Sequence, residues 1–443
     1  MTAPQRSTLA TVRPPAVAPR THWAERLLSP CNALRTFSAS LLLVYVAIPI
    51  VVYLTILPDQ NLARLAMITA VGTVFMWVGR QFPLFDYRFR AGVPRFTIGW
   101  RTFVGFTCVA FVLFTAVTLV TAPSIPLLSA LRGANSETLS LERGAFLKGR
   151  QGYELALLYI STFLLNTIVP YSVVTLYSTR ARIRHLFGAF VLLFSVSFLQ
   201  KTLFLNLALP LITYYAMRGE LKGKKALLGI AGSLLIILVS TYLSAEEATG
   251  SSGSRFVATD FLSARYSPES PLLYLVWRAI SVPIFTATDT LIVHAEAFSG
   301  RSLLGATSTL ISALFGMERI NLERYVFEHQ FGGWNDTANA NSLFLVDAYV
   351  NFSWFGVIIF GFLIGQVFRW FCYSKDEAFQ SMWTLLAFVL FSASLIGMML
   401  SNGWLFMLLF ALFVRVRRPA SLESTMYRRQ VVSGAAPPGP HFP

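Results

Sequence analysis

Along this 443-residue chain, long apolar stretches alternate with short polar ones on the scale of a membrane's thickness. A helix needs about 20 apolar residues to cross the hydrocarbon core. On that measure the sequence predicts ten spans, at 37–57, 62–79, 102–122, 153–177, 186–199, 202–217, 226–244, 352–371, 379–398 and 403–414. A further apolar stretch, 272–293 (LLYLVWRAISVPIFTATDTLIV), is long enough to cross. It carries Arg278, Pro283 and Asp289, each costly in mid-bilayer, so it reads as helices lying at or dipping into one surface. The expected fold is an all-α polytopic membrane protein. A tail over 1–36 leads to seven spans within 37–244 and a long loop over 245–351 with short helices. Three spans within 352–414 and a second tail, 415–443, follow. A shorter loop covers 123–152, and no internal repeat joins the halves.

Charge orients these spans. Segments 1–36, 80–101, 178–185, 218–225, 369–378 and 415–443 hold 24 of the 36 Lys and Arg but six of the 21 acids. They sum to +18 and everything else to −3. Excess Lys and Arg marks the cytoplasmic side. Both tails are therefore expected inside (N-in, C-in), as an even number of spans requires. The net charge of +15 thus reads as a topology signal, not as a nucleic-acid footprint.

Composition narrows the class. A mean hydropathy of +0.59 with 55% apolar residues excludes disorder and most soluble folds. The Arg-rich first 36 residues lack the apolar core and cleavage site of a secretory signal and read as a retained tail. Cys31 and Cys372 fall on the expected cytoplasmic side and Cys108 within a span. Neither a disulfide nor a Cys-based zinc site is expected.

Cations at membrane depth are the first chemical signal. The spans 186–199 and 202–217 lie between basic flanks, so the chain must go out and return within them. Helices of 14 and 16 residues reach roughly 21 and 24 Å, short of the hydrocarbon core of about 30 Å. The turn SFLQKTLF is thus expected below the outer surface, with Lys201 inside the outer leaflet, as a binding cation or a snorkelling anchor. Arg278, beside Trp277, wants a permanent anion: a ligand phosphate, or Asp289 or Glu296 as a structural partner. Arg255 and Arg265 precede it in RFVATDFLSARYSPESP, where a solvated loop is the competing reading.

Proton handlers on the outer side are Glu246, Glu247, Asp260, Asp289, His294 and Glu296, the last two close together in VHAEAF. The run GGWNDTANANSLFLVDAYVNFSWFG offers Trp334, Asn335, Asn339, Asn341 and Tyr349, amides and aromatics that suit sugars through hydroxyl bonds and ring stacking. An interfacial aromatic belt with helix capping is the alternative. There is no Asp-x-Asp, His cluster, Gly-rich nucleotide loop or Gly-x-Ser-x-Gly. A metal-held nucleotide sugar, an ATPase and an elbow-type hydrolase lose support, and no metal or cofactor is expected.

Three features carry a resemblance: the short hairpin with Lys201 at its outer turn, Arg278 and Pro283 in LVWRAISVPIF, and the run NANSLFLVDAYVNFSWFG. Over the middle and C-terminal two thirds the chain resembles the Wzy-type oligosaccharide repeat-unit polymerases of bacterial surface polysaccharides. Members often have Phe-Gly at the start of the last run's span, where this chain has Phe352-Ser353. The resemblance implies a glycosyltransferase C-like fold in the bacterial cytoplasmic (inner) membrane, with its site facing the periplasm. The implied reaction is metal-independent transfer of a growing glycan from undecaprenyl diphosphate to a lipid-linked repeat unit. Lys201, Arg278, Arg265 and Arg255 would hold the diphosphate, and Glu296, His294 or Asp289 would take the acceptor's proton. Implied partners are lipid-linked oligosaccharides, membrane lipids and, as a candidate, a chain-length regulator. A lipid-linked oligosaccharide flippase and an O-antigen ligase-type transferase are the competing readings; repeated halves would favour the former.

Overall fold

A computed structural model describes residues 23–86, 95–147, 150, 152–197, 201–221, 258–266, 268, 270–333 and 338–418. The expected span 226–244 and the candidates Glu246, Glu247, Arg255, Trp334 and Asn335 lie outside the described residues.

The apolar pattern folds into helices, six of them long and apolar enough to cross a membrane among the described residues. They are α1 (Pro30–Thr55), α2 (Gln60–Gln81), α3 (Trp100–Val120), α5 (Ala156–Ser178), α8 (Pro271–Phe298) and α10 (Phe344–Tyr373). Between them lie α4 (Ser136–Leu147), the shorter apolar pair α6 (Arg184–Ser197) and α7 (Lys201–Met217), and α9 (Leu322–Phe331). The C-terminal part comprises α11 (Glu377–Leu390), α12 (Leu395–Leu400) and α13 (Trp404–Phe413). Strand β1 (Phe96–Gly99) runs parallel to β2 (Val414–Arg417). Phe106, Leu113 and Val120 project from α3 and are exposed, as lipid-facing side chains would be. The chain is an all-α membrane protein.

Two prolines shape the long helices. Pro49 and Pro170 each follow a five-residue π-helical segment, Leu43–Ala47 in α1 and Leu164–Ile168 in α5. A proline ring clashes with the carbonyl four residues back and donates no N–H. The wider turn relieves the clash without ending the helix.

The central seam is α2 against α10. A Cβ on Gly365 would run into the Met76 carbonyl, one on Gly79 into the Phe362 carbonyl, and one on Gly361 would lie 2.6 Å from the Gly72 oxygen. Small residues let the two backbones meet, which is how helices associate where lipid is as apolar as leucine. At the end of the seam Arg369 donates to Asp86 and to the Arg80 carbonyl, and Trp370 to the Leu84 carbonyl.

The basic segments within the described region gather at this end of the bundle. Arg80 donates to the Cys31 carbonyl at 2.6 Å, and Arg418 binds Asp376, which also accepts from Tyr171. We call this end the basic face. The expectation that the cysteines stay unpaired is overturned: Cys31 and Cys372 are joined in a disulfide, with their Cα atoms 4.4 Å apart. Separated by 341 positions, they meet because the start of α1 and the end of α10 share that face.

Three further expectations are corrected. The stretch 272–293 is one 28-residue helix, α8, running through Pro283 rather than several short ones. The span 379–398 is interrupted: α11 ends at Leu390, and residues 391–394 are non-helical before α12. The Phe391 carbonyl freed there accepts from the Tyr45 hydroxyl at 2.5 Å, in the middle of α1. Lastly, α10 starts before 352 and is broken at Phe352-Ser353, where Ser353 has φ 54°, ψ −150°. The limb 344–351 folds back there, so that a Cβ on Gly356 would strike the Ala348 carbonyl.

Candidate functional site

That fold-back builds the site. Residues 338–343 lead inward, Leu343, Phe344 and Leu345 are fully buried, the last of them against Gly72, and 344–351 return toward the face opposite the basic one. Non-helical backbone at membrane depth is tolerated where protein buries it or where it lines a cavity. Here it does both. A cavity of about 280 Å³ opens between the fold-back, α9 and the turn at 307–308 with the start of the helix Thr309–Leu314, and its floor is the interrupted segment 393–402. It lies near the lower end of the ligand-pocket range of about 300–1,000 Å³. Its polar lining includes Arg319, Asn321, Glu323, Asn341 and Asp347.

Asp347 is 7% exposed. Its Oδ1 accepts from Asn351 Nδ2 at 3.0 Å, while Oδ2 is buried with no hydrogen-bond partner. Asn351, fully buried, is itself fixed: its Oδ1 accepts from the Gly305 N–H and from Thr307, and the Leu304 N–H donates to its carbonyl. Glu323, from the first turn of α9, lies within electrostatic reach of Asp347. Its carbonyl accepts from the Ala340 N–H at 3.0 Å, and with the Asn341 amide turned nitrogen-inward its Oε2 accepts at 3.0 Å. Two carboxyls thus face one polar chamber.

A second, apolar groove of about 650 Å³ adjoins it. Leu113 and Val117 of α3, Ile160 and Phe163 of α5, and Leu400 with Ser401 line it. Leu400 and Ser401 line both spaces, so a polar chamber and a lipid-side groove meet at the end of α12. Thr162 of α5 donates to the Ser401 carbonyl at 2.9 Å and pins that junction.

The residues singled out from the sequence scatter around this chamber. Asn341 lines it. Asn339 is exposed, and Tyr349 packs edge-on against Trp354. Asp289 accepts from Gln330 at 2.8 Å, and His294, buried near the end of α8, donates from Nε2 to the Arg301 carbonyl at 2.8 Å. Glu296 is exposed, and none of these three lines the chamber. Asp260 and Arg265 are exposed in and after the short helix Ala258–Phe261.

Arg278 stands apart from the chamber. Arg278 is exposed, its guanidinium over the Tyr274 ring at 5.9 Å. Thr290 of the same helix lines the chamber, 12 positions and so about 18 Å further along. No ion pair forms between Arg278 and Asp289 or Glu296. Instead Arg278 lies within reach of Arg143 on α4, which burial, chiefly, and then Arg278 push below the ordinary arginine range. Lys201 begins α7, whose Asn206 donates to Asn166 of α5 at 2.6 Å, one turn from Thr162.

Glu323 and Asp347 are the carboxyls on the chamber wall and Asn351 holds the second of them; the sequence reading did not select these three. The available signal was the i, i+4 pair Asp347/Asn351 inside the apolar run LFLVDAYVNF, since polar groups in a membrane segment mark function by default. No family model, no curated protein and no solved structure matches the chain.

Proposed function

We propose that this protein is a membrane glycosyltransferase of the polysaccharide-polymerase kind, moving a growing glycan from a lipid diphosphate onto a second lipid-linked repeat unit. The observation that carries this reading is the junction at Leu400–Ser401, where a polar chamber adjoins an apolar groove open to lipid. A substrate with a polar glycan head and a long apolar tail matches both. A lipid diphosphate is an activated donor needing no nucleotide, and its departure adds charge that cations at headgroup level stabilise. Arg319, on the chamber wall, is placed for that role, with Lys201 as a further candidate, whereas Arg278 is too far along α8 to reach the same diphosphate; Asn341 and its neighbours bind sugar hydroxyls.

In this reading the basic face is cytoplasmic by the positive-inside rule, and the chamber opens to the periplasm. Ten spans and a glycosyltransferase C-like arrangement belong to the same proposal. Both halves of α8 support its lying along the periplasmic side: Arg278 neighbours Arg143 after α3, and Asp289 neighbours Asp59 between α1 and α2. A cysteine placed at Glu296 should be labelled from outside, and one at Arg417 should not. Disulfides are rare on the cytoplasmic side, so the Cys31–Cys372 bond tests this orientation: alkylation in intact cells would report whether the bond persists on that face.

A second reading, transport of the same lipid-linked glycan, draws support from the interrupted helices at 391–403, because broken helices lining a mid-membrane cavity also build carrier sites. One experiment separates the readings: purified protein in vesicles with lipid-linked repeat units alone. A ladder of products means polymerase, addition to a different lipid means ligase, and movement without bond change means transport. Arg319→Ala should abolish the ladder at matched protein level and Lys201→Ala should lower it, with Lys375→Ala as the control.

A further inference from the structure

Asp347 is a carboxyl with one fixed oxygen and one idle one. Oδ1 is held by Asn351, which is locked in turn by Gly305 and Thr307, so the carboxyl plane is set by a chain of bonds reaching another loop. Oδ2 is buried, has no partner, and belongs to a residue lining the chamber. No ion pair neutralises this side chain, although Arg319 lines the same space. A buried polar atom left without a partner costs free energy unless a ligand satisfies it. A general base needs a lone pair not already engaged by another group, held rigidly, within reach of the proton it removes. The proton handlers suggested by the sequence lack this: Asp289 and His294 are engaged with Gln330 and with the Arg301 carbonyl, and Glu296 is exposed outside the chamber.

We propose that Asp347 Oδ2 is the proton acceptor of the transfer reaction, with Asn351 as its positioning residue and the chamber as the seat of the acceptor sugar. This rests on the glycosyltransferase reading above. As the acceptor oxygen bonds to the anomeric carbon, the bond from that carbon to the diphosphate oxygen breaks and its electron pair leaves on the diphosphate. The hydroxyl proton passes to Asp347 Oδ2 and is released to water when product leaves. Asn341 and Glu323 lie on the wall where neighbouring hydroxyls of the acceptor would bond.

The test uses the full chain in vesicles with lipid-linked repeat units, following single additions. Asp347→Asn preserves size and an acceptor oxygen for Asn351. It should lower kcat by about 100-fold or more while leaving KM for the acceptor within a few-fold, and the acid limb of the pH–rate profile should vanish. Asp347→Glu should retain partial rate with that limb present, a rescue that a merely structural role would not give. Asn351→Ala should lower kcat less than Asp347→Asn and keep the limb. A normal kcat for Asp347→Asn, or an unchanged acid limb, overturns the assignment while the polymerase reading stands. A wild-type protein that forms no glycosidic bond overturns both. If Asp347→Asn does not fold, an Asp347→Glu variant that folds yet makes no product overturns the assignment on its own.

Discussion

Two aspartates are buried against opposite ends of α10, and the protein treats them differently. Asp86, 3% exposed at the basic face, binds Arg369 at 2.5 Å. Asp347, 7% exposed near the opposite end, has one amide on Oδ1 and nothing on Oδ2. The first is a paired charge closing the helix seam, with Arg369 also satisfying the Arg80 carbonyl. The second is a polar atom left for something else to satisfy, beside a chamber that admits it. A buried carboxyl alone therefore says little about role. Each has one buried oxygen without a hydrogen-bond partner; an arginine across the ion pair and a chamber beside the carboxyl are what separate the two.

This contrast can be broken by stability measurements on the purified protein in detergent. The largest effect is expected at Asp86→Ala, which leaves the half-buried Arg369 without its carboxylate. The expected loss is about 3–5 kcal/mol, read as a marked fall in Tm. Should Asp347→Asn fall as far, the distinction between the two ends collapses. Next comes the seam between them: Gly365→Ala places a methyl against the Met76 carbonyl, where neither backbone can yield. A loss of about 1–3 kcal/mol is expected, and an unchanged Tm would show that the helices are further apart.

Asp347→Asn itself should move stability by less than about 1 kcal/mol in either direction, because the amide keeps an oxygen for Asn351 and removes a buried charge. The smallest change is a gain. Ser353 holds φ 54°, ψ −150°, a region that glycine enters without strain. Ser353→Gly should raise stability by about 1 kcal/mol, seen as a small upward shift in Tm. A downward shift would mean that the serine side chain contributes more than its backbone costs.

Much of the fold could be read in advance because membrane insertion depends on local composition. The stretches 37–57, 62–79 and 102–122 became α1, α2 and α3, with ends displaced by polar caps and prolines. The described parts of the basic segments gather at one end of the bundle. The short pair ending and beginning near 197 and 201 appears as α6 and α7. Local pattern failed at α8, where a proline within an apolar run suggested separate helices, and at 379–398, where the run is continuous but the helix is not. Hydropathy counts side chains. It does not register that Tyr45, far away in sequence, takes the Phe391 carbonyl and makes the interruption tolerable.

Of the chamber, the sequence supplied the neighbourhood and did not single out Asp347 or Glu323. The Asn-rich run before the last long helix was marked, and Asn341 from it lines the chamber. Asp289, His294 and Glu296 share a segment because they are close in sequence, and that closeness did not bring them to the cavity.

Class, helical content and the sidedness of charge were decided along the chain itself, since a 30 Å apolar layer acts on each segment separately. The chamber was decided only in three dimensions. It needs Ser353 to reverse α10, glycines to let α2 and α10 close up, and Thr162 to pin Ser401 between two cavities. Each of these is a contact between segments far apart in sequence. No local pattern encodes which oxygen of Asp347 such contacts leave unmet.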